Sequence, residues 1–291
     1  MIRNLADAAR HVARTFVTNR RRRAFAKRGE AFVHTTAQGN RFELYPGEFI
    51  DRDIYAFGIY ERRILDLLRA RLKRRRTYLD IGANIGNHAL YLRDIFEHVH
   101  CFDPNPVIVR RLRRNIALNE ATNITVHPVG LGDVDGELPF NADVEGNMGL
   151  GSFVHQGAGE PVMLPVIAAS RYIGEQKIEG IDFVKVDVEG FEPQVFLGLR
   201  ETIAIHRPVV AFEYHGGMEP IESWETITAS MPGYVFVDAI PPAPAGLAGK
   251  LAFALRHGMN PPMAPIAAPG NRSYAAVLGF PSREALAEFE A

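Results

Sequence analysis

YLDIGANIGNHALYL, residues 78–92, changes character twice along its length. It opens as a short apolar strand and bends through Gly82 and Gly86. It then continues from Asn87 to Phe96 with apolar residues at helical spacing. A strand, a glycine turn and a helix in that order open a βαβ unit, and glycines let the backbone pass close to a ligand. Nicotinamide-binding sheets use a related turn, G-x-G-x-x-G, to seat a pyrophosphate. Here the spacing is Gly82-Ala83-Asn84-Ile85-Gly86, and an acid, Asp80, precedes the first glycine by two residues. An acid at that place repels a pyrophosphate and suits a ligand with a positive centre or an amine.

Outward from this stretch the alternation persists. HVHCFD (98–103) reads as the next strand, Val107–Leu118 as a helix and ITVHPVGLG as a third strand. After an irregular stretch from Asp133 to Gly159 come VMLPVI (162–167), a short helix near Ser170–Gln176, and the strand IDFVKVD (181–187). A helix over Pro193–Ile203, the strand PVVAFEYH (208–215), a helix over Ile221–Ser230 and the strand YVFVDAI follow. SYAAVLGF (273–280) closes the series, expected as an antiparallel strand. Alternating strands and helices predict an α/β fold, a mostly parallel sheet with helices on both faces. Ahead of it, Tyr60–Arg76 predicts an amphipathic helix, and Pro241–Gly270 a long loop rich in proline and alanine. The organisation expected is a basic extension and lead-in over 1–59, then one domain over 60–291.

Composition narrows the function classes. The chain has 291 residues, 47% hydrophobic and 23% charged, with a net charge of −1. That neutral total hides an asymmetry: the first 30 residues hold nine Arg or Lys against Asp7 and Glu30, so the body is acidic. Ile2, Leu5, Ala9, Val12 and Phe16 give the arm helical spacing. They suggest packing on the body, an oligomer contact or contact with an anionic membrane surface. No run approaches the ~20 apolar residues of a membrane helix, and a cytoplasmic protein is expected. The single cysteine, Cys101, sits in an apolar run as a core residue and excludes an internal disulfide. Without a basic total or interleaved aromatics, no nucleic acid partner is expected.

Asp103, in FDPNP (102–106), ends the second strand, where a carboxylate can accept hydrogen bonds from both ribose hydroxyls. Either acid alone reads as a helix cap or a loop carboxylate. Together with the glycine turn, Asp80 and Asp103 describe a ribose joined to a cationic, phosphate-free remainder, which is S-adenosylmethionine. VKVDVEGFE (184–192) then ends a buried strand in Asp187, Glu189 and Glu192 around Gly190. Ligands of open parallel sheets bind beyond the carboxyl ends of strands. Asp187 is therefore the candidate base or orienting group for an incoming alcohol, with Glu189 second. Glu192 reads as a favourable charge at a helix start. FEYHGG adds Glu213 and His215 at the next strand tip; His215 could act as the base or bind substrate hydroxyls, and His88 could line the site. Asp187, Glu189, Glu213 and His215 could also ligate a divalent ion, but no spacing here matches a metal signature, and none is expected.

Three segments in order, YLDIGANIGNHALYL, CFDPNPVIVRRLRRNIALN and IDFVKVDVEGFE, resemble the FkbM-type methyltransferases, a branch of the class I S-adenosylmethionine-dependent enzymes. The resemblance covers about 75–240. It implies a Rossmann-like seven-stranded sheet with one antiparallel strand, and O-methylation of a small-molecule or glycan acceptor by in-line methyl transfer. It places the cofactor between Asp80, Gly82, Asn84 and Gly86 on one side and Asp103 on the other. It also implies Asp133, in GLGDVDG, beside the adenine, and Ser152, in NMGLGSF, near the cofactor. The alternatives are an NAD(P)-dependent oxidoreductase on a similar sheet and a non-catalytic binding module working through the basic arm.

Overall fold

The computed structural model describes residues 21–141, 153–154, 160–216, 221–241, 262–269 and 272–291. In chain order the strands are β1 (Phe32–Thr35), β2 (Arg41–Leu44), β3 (Thr77–Ile81), β4 (His98–Phe102), β5 (Ile124–His127), β6 (Gly130–Gly132) and β7 (Gly136–Phe140). They continue with β8 (Val162–Ala168), β9 (Ile181–Val186), β10 (Val209–His215), β11 (Val235–Asp238), β12 (Ala264–Pro265) and β13 (Ser273–Phe280). The main sheet has the order β12-β11-β13-β10-β9-β3-β4-β5. Strands β10, β9, β3, β4 and β5 pair parallel, and β13 runs antiparallel to both β10 and β11. These are the seven strands expected. The two-residue β12 adds an eighth at the edge, antiparallel to β11 and drawn from the described end of the 241–270 segment.

Side-chain parity explains why these runs are strands buried on both faces. Leu79, Ile81, Val184, Val186, Val210 and Phe212 pack into one apolar cluster. Tyr78, Cys101, Phe183, Ala211 and Leu278 pack into another on the opposite face. Every residue of β3 and β9 is buried, as central parallel strands require. The helix Pro106–Leu118 starts where Asn105 accepts from the Val107 amide at 2.9 Å, with Pro106 in the first turn.

Three elements depart from the sequence reading. ITVHPVGLG is two strands rather than one: β5 stays in the main sheet, whereas β6 pairs with β8 in a separate three-stranded sheet completed by β7. Pro128, between them, lacks the amide that a continuous ladder needs. The helix expected over Pro193–Ile203 is divided into Glu192–Gly198 and Arg200–His206. Gly198 lies so close to β6 that a Cβ there would sit 1.8 Å from the Gly132 carbonyl oxygen. The helix expected from Tyr60 begins only at Arg62, because Glu61 adopts a left-handed backbone (φ 54).

The lead-in is structured as well. Beside the β1–β2 hairpin, a helix over Phe49–Phe57 packs Ile54 with Phe25, Phe42, Leu44, Ile85 and Leu90. Asn115 and Asn119 of the helix Pro106–Leu118 hold β2 by its backbone, accepting from the Glu43 and Arg41 amides at 2.9 and 2.8 Å. Arg111 grips both carboxylate oxygens of buried Asp51 at 2.6 Å. Of the basic arm, residues 21–26 are helical. Arg22 pairs with Asp53 at 2.8 Å and Phe25 is buried. The apolar spacing from Ile2 to Phe16 lies outside the described residues. Among the described residues no helix is long and apolar enough to cross a membrane.

Candidate active site

Chain direction places the site. Strands β3, β4, β9 and β10 deliver their last residues to one edge of the sheet, and a cleft of about 980 Å³, partly open to solvent, lies there. Its floor is the turn after β3. Gly82 (φ 74) leaves the strand, and its amide and that of Ala83 bond to the Phe102 carbonyl at 2.9 and 3.1 Å. A Cβ on Gly82 would lie 1.8 Å from the Asp187 carbonyl oxygen, so the tips of β3 and β9 touch backbone to backbone. Asn84 is left-handed (φ 49), and its side-chain oxygen accepts from the Ile85 amide at 2.7 Å. Gly86 (φ 87) starts the helix Asn87–Leu92.

Asp103 stands across this turn. Its two oxygens accept from the Asn84 amide at 3.2 Å and the Asn105 amide at 3.0 Å. A carboxylate has about four acceptor sites, so room remains for two further donors from the cleft. Burial pushes its pKa up to about 6, against the opposing pull of those two amides. Gly82, Asn84 and Asp103 all line the cleft, whereas Asp80 does not. The sequence reading put Asp80 against the ligand; the structure buries it completely, one layer beneath the turn. There Asp80 accepts from the Ala89 amide at 3.1 Å and lies 3.5 Å from Lys185. Gly86 shapes the turn without reaching the cleft wall. Asp133 is exposed, just past β6, and is not among the lining residues. Ser152 lies outside the described residues.

The opposite wall carries the acids. Asp187, Glu189 and Glu213 line the cleft together with Lys185, His88 and Tyr60. Glu189 is held in a left-handed conformation (φ 53), and the β10–β13 register shifts between Phe212 and Tyr214, at Glu213. Register irregularities of this kind re-aim side chains near active sites. Glu192 instead turns back to accept from the Val188 amide at 2.8 Å, at the start of its helix. His215 lies 3.4 Å from Glu213 but is not itself in the wall. Phe49, Ile50, Ile85, Phe140, Phe153 and Val188 supply apolar surface. Among the described residues, no three His, Cys, Asp or Glu side chains are arranged to hold a metal ion.

Two important groups escaped the sequence reading. Lys185 sits inside an apolar strand, and nothing local marks it as more than an outward residue. Two of its three partners, Asp80 and Gly82, lie more than 100 positions away. Glu61 is the N-cap residue of the helix Arg62–Arg71 and lies 2.8 Å from the His88 Nε2. Burial, then repulsion from Asp187, raises Glu61 to about 7. Burial and Asp187 likewise raise Glu189 to about 7. Glu213 also reaches about 7, through burial and the nearness of Asp187 and Glu61. Burial, then the Lys185 charge, lowers His88 to about 4.

These shifts have consequences for stability. Glu61, Glu189 and Glu213 hold protons more tightly folded than unfolded. Their contribution is full below their ordinary value of 4.5 and is lost as pH rises to about 7. Burial lowers His100 and His127 to about 4, as it does His88, so these three contribute fully above 6.5 and lose that as pH falls to about 4. The two sets oppose one another between 4.5 and 6.5. Asp51 and Asp103, raised by burial from 3.8 to about 6, join the carboxyls, so five groups outweigh three and the expected Tm already declines between about pH 4.5 and 6, then falls again between about 6.5 and 8. Glu213→Gln should raise Tm at about pH 8 by roughly 2–4 °C, on the order of 1 kcal/mol for a chain of this size. Melting curves across this range check it; an unchanged or lower Tm at high pH would count against the buried-carboxyl assignment.

The strand order, the antiparallel β13 and the cleft at the carboxyl edge define a Rossmann-like α/β domain of the methyltransferase class. The chain belongs to the FkbM methyltransferase family: the model of the Methyltransferase FkbM domain matches residues 80–237. It is 26% identical over 160 residues to the hexuronic acid methyltransferase AglP of Haloferax volcanii, covering 55% of this chain and 64% of that one. It is 28% identical over 142 residues to methyltransferase 1 of Beauveria bassiana, covering 42% and 57%. The chain thus spans less than two thirds of the length of either relative. The crystal structure of methyltransferase FkbM from Methylobacillus flagellatus aligns with a TM-score of 0.42 at 24% identity, over 56% of this chain and 39% of that one.

Proposed function

We propose that this protein uses S-adenosylmethionine to methylate a hydroxyl of a sugar, glycolipid or polyketide-like metabolite, with a sugar hydroxyl as first choice. The observation that carries the proposal is Asp103, a buried carboxylate with acceptor capacity to spare, facing a glycine turn in the cleft of a methyltransferase-family domain. In this reading Asp103 binds the ribose hydroxyls, and Gly82 to Asn84 let the backbone lie against the amino-acid portion. S-adenosylmethionine would supply an electrophilic methyl on a sulfonium. The protein's part is alignment, exclusion of water and disposal of the acceptor's proton.

The acids divide that work. Asp187 lies 3.2 Å from Lys185, and an acceptor held by a cation is suited to orienting the hydroxyl. Glu213, raised to about 7, is matched to taking a proton near neutral pH, and Glu61 and His215 flank it. Glu189 is positioned for the acceptor's other hydroxyls. The name of the Haloferax relative supports a sugar acceptor. The charge of the wall favours a neutral sugar over a uronate, because among the described residues Glu61, Asp187, Glu189 and Glu213 face Lys185 alone as a fixed cation. The test is calorimetry with S-adenosylhomocysteine, followed by incubation with methyl-labelled cofactor and glycan extracts. Losing one charged hydrogen-bond acceptor costs about 2 kcal/mol, so Asp103→Asn should weaken binding roughly 30-fold. Wild-type protein that binds no S-adenosylhomocysteine would refute the proposal.

A further inference from the structure

We infer that Lys185 is a positioning residue, a buried clamp that locks the cofactor turn and the acceptor-facing acid Asp187 into one rigid unit. The inference rests on the methyltransferase reading above and gives Lys185 a task beyond its contact with Asp187. Lys185 pairs in register with Asp80 across the β3–β9 ladder, so both side chains emerge on the same sheet face. An ammonium has three donors. Here they face three acceptors: the Gly82 carbonyl at 2.9 Å, the Asp187 carboxylate at 3.2 Å and the Asp80 carboxylate at 3.5 Å.

Each partner has a different task. Holding the Gly82 carbonyl fixes the 82–83 peptide plane, so that the Ala83 amide points to Phe102, one residue before the Asn84 amide that bonds to Asp103. Holding Asp187 fixes the orientation of a carboxylate that is only partly buried. Asp80 supplies the counter-charge that lets a lysine remain ionised in a site this closed. Its own second oxygen anchors the helix after the turn through Ala89. Burial works against the Lys185 charge, but Asp187 and Asp80 outweigh it and keep it above the ordinary lysine value. The two ends of the clamp lie on the two walls of the cleft, so one ammonium sets the spacing between the place for the cofactor and the place for the acceptor.

Removing the lysine alone would strand Asp80 as a buried, unpaired charge and could unfold the protein. The experiment therefore uses Lys185→Met and the double variant Lys185→Met/Asp80→Asn, which removes both buried charges. The double variant is expected to regain most of the Tm lost by the single one. In the protein without cofactor, its hydrogen-exchange protection should fall about 10-fold in peptides 82–86 and 187–190, with the rest of the sheet unchanged. Its affinity for S-adenosylhomocysteine should fall about 10-fold, and kcat should fall more than the acceptor KM rises. A folded double variant with wild-type protection in those two peptides overturns the clamp. Wild-type protein that fails to bind S-adenosylhomocysteine refutes the methyltransferase reading instead, while the exchange pattern still decides the clamp.

Discussion

Asp187→Asn is expected to lower kcat by about 10²- to 10³-fold while leaving S-adenosylhomocysteine affinity within a few-fold of wild type. The substitution preserves the shape of the side chain. It removes the charge that meets the acceptor hydroxyl in the proposed function, and oriented proton acceptors of this type contribute on the order of 10²–10⁴ to a rate. Cofactor affinity is spared because Asp103, not Asp187, stands across the glycine turn. The fold is spared because Lys185 keeps Asp80 as a carboxylate partner and the Gly82 carbonyl as a neutral one. Turnover at saturating cofactor and acceptor, paired with calorimetry, separates the two effects. A kcat within about threefold of wild type would assign Asp187 a purely structural part and shift the hydroxyl to Glu213 or Glu189.

Gly82→Ala should be the most damaging small substitution in the chain. The residue has φ 74, where an L side chain is strained by about 1–2 kcal/mol. The larger cost is steric. The added carbon would meet the Asp187 carbonyl oxygen at 1.8 Å and its carbonyl carbon at 2.9 Å, and both atoms are backbone. No rotamer relieves that. The tips of β3 and β9 would have to part, breaking the Asp187 amide bond to the Ile81 carbonyl and displacing the Gly82 bond to Phe102. A loss of more than about 4 kcal/mol is expected, enough to lower Tm by over ~8 °C or prevent accumulation of folded protein. Gly136, with nothing within 4 Å of the same hypothetical carbon, is the control, and Gly136→Ala should melt near wild type. Near-equal Tm values for the two variants would mean that the strand tips are farther apart than they stand here.

The sheet was legible wherever a strand is buried on both faces. Continuous apolar runs such as TYLDI and IDFVKV have no other stable use at that length, and the structure places them side by side at the centre. Gly82 and Asp103 were legible because their chemistry is local: a forced backbone conformation and an acid at a strand end. Asp80 shows the limit of that logic. Its position before the turn is as read, but which way a strand residue faces depends on parity, and parity puts Asp80 on the side of Tyr78, where the Ala89 amide and Lys185 hold it beneath the turn. Lys185 shares that parity and was missed for the same reason. A lysine between valines reads as an outward residue until Asp80, more than 100 positions earlier, is known to be its neighbour. The β1–β2 hairpin went unread because its strands are four residues long and are fixed by asparagines of a distant helix rather than by their own pattern.

The family match begins at residue 80, yet Phe49, Ile50 and Tyr60 roof the cleft and Glu61 backs its acidic wall. The Asp103 end of the cleft is thus written in one stretch of the gene and part of the mouth in another, upstream of it. A protein cut down to the matched stretch alone would keep the glycine turn and Asp103 but lose the part of the doorway that Phe49, Ile50 and Tyr60 build.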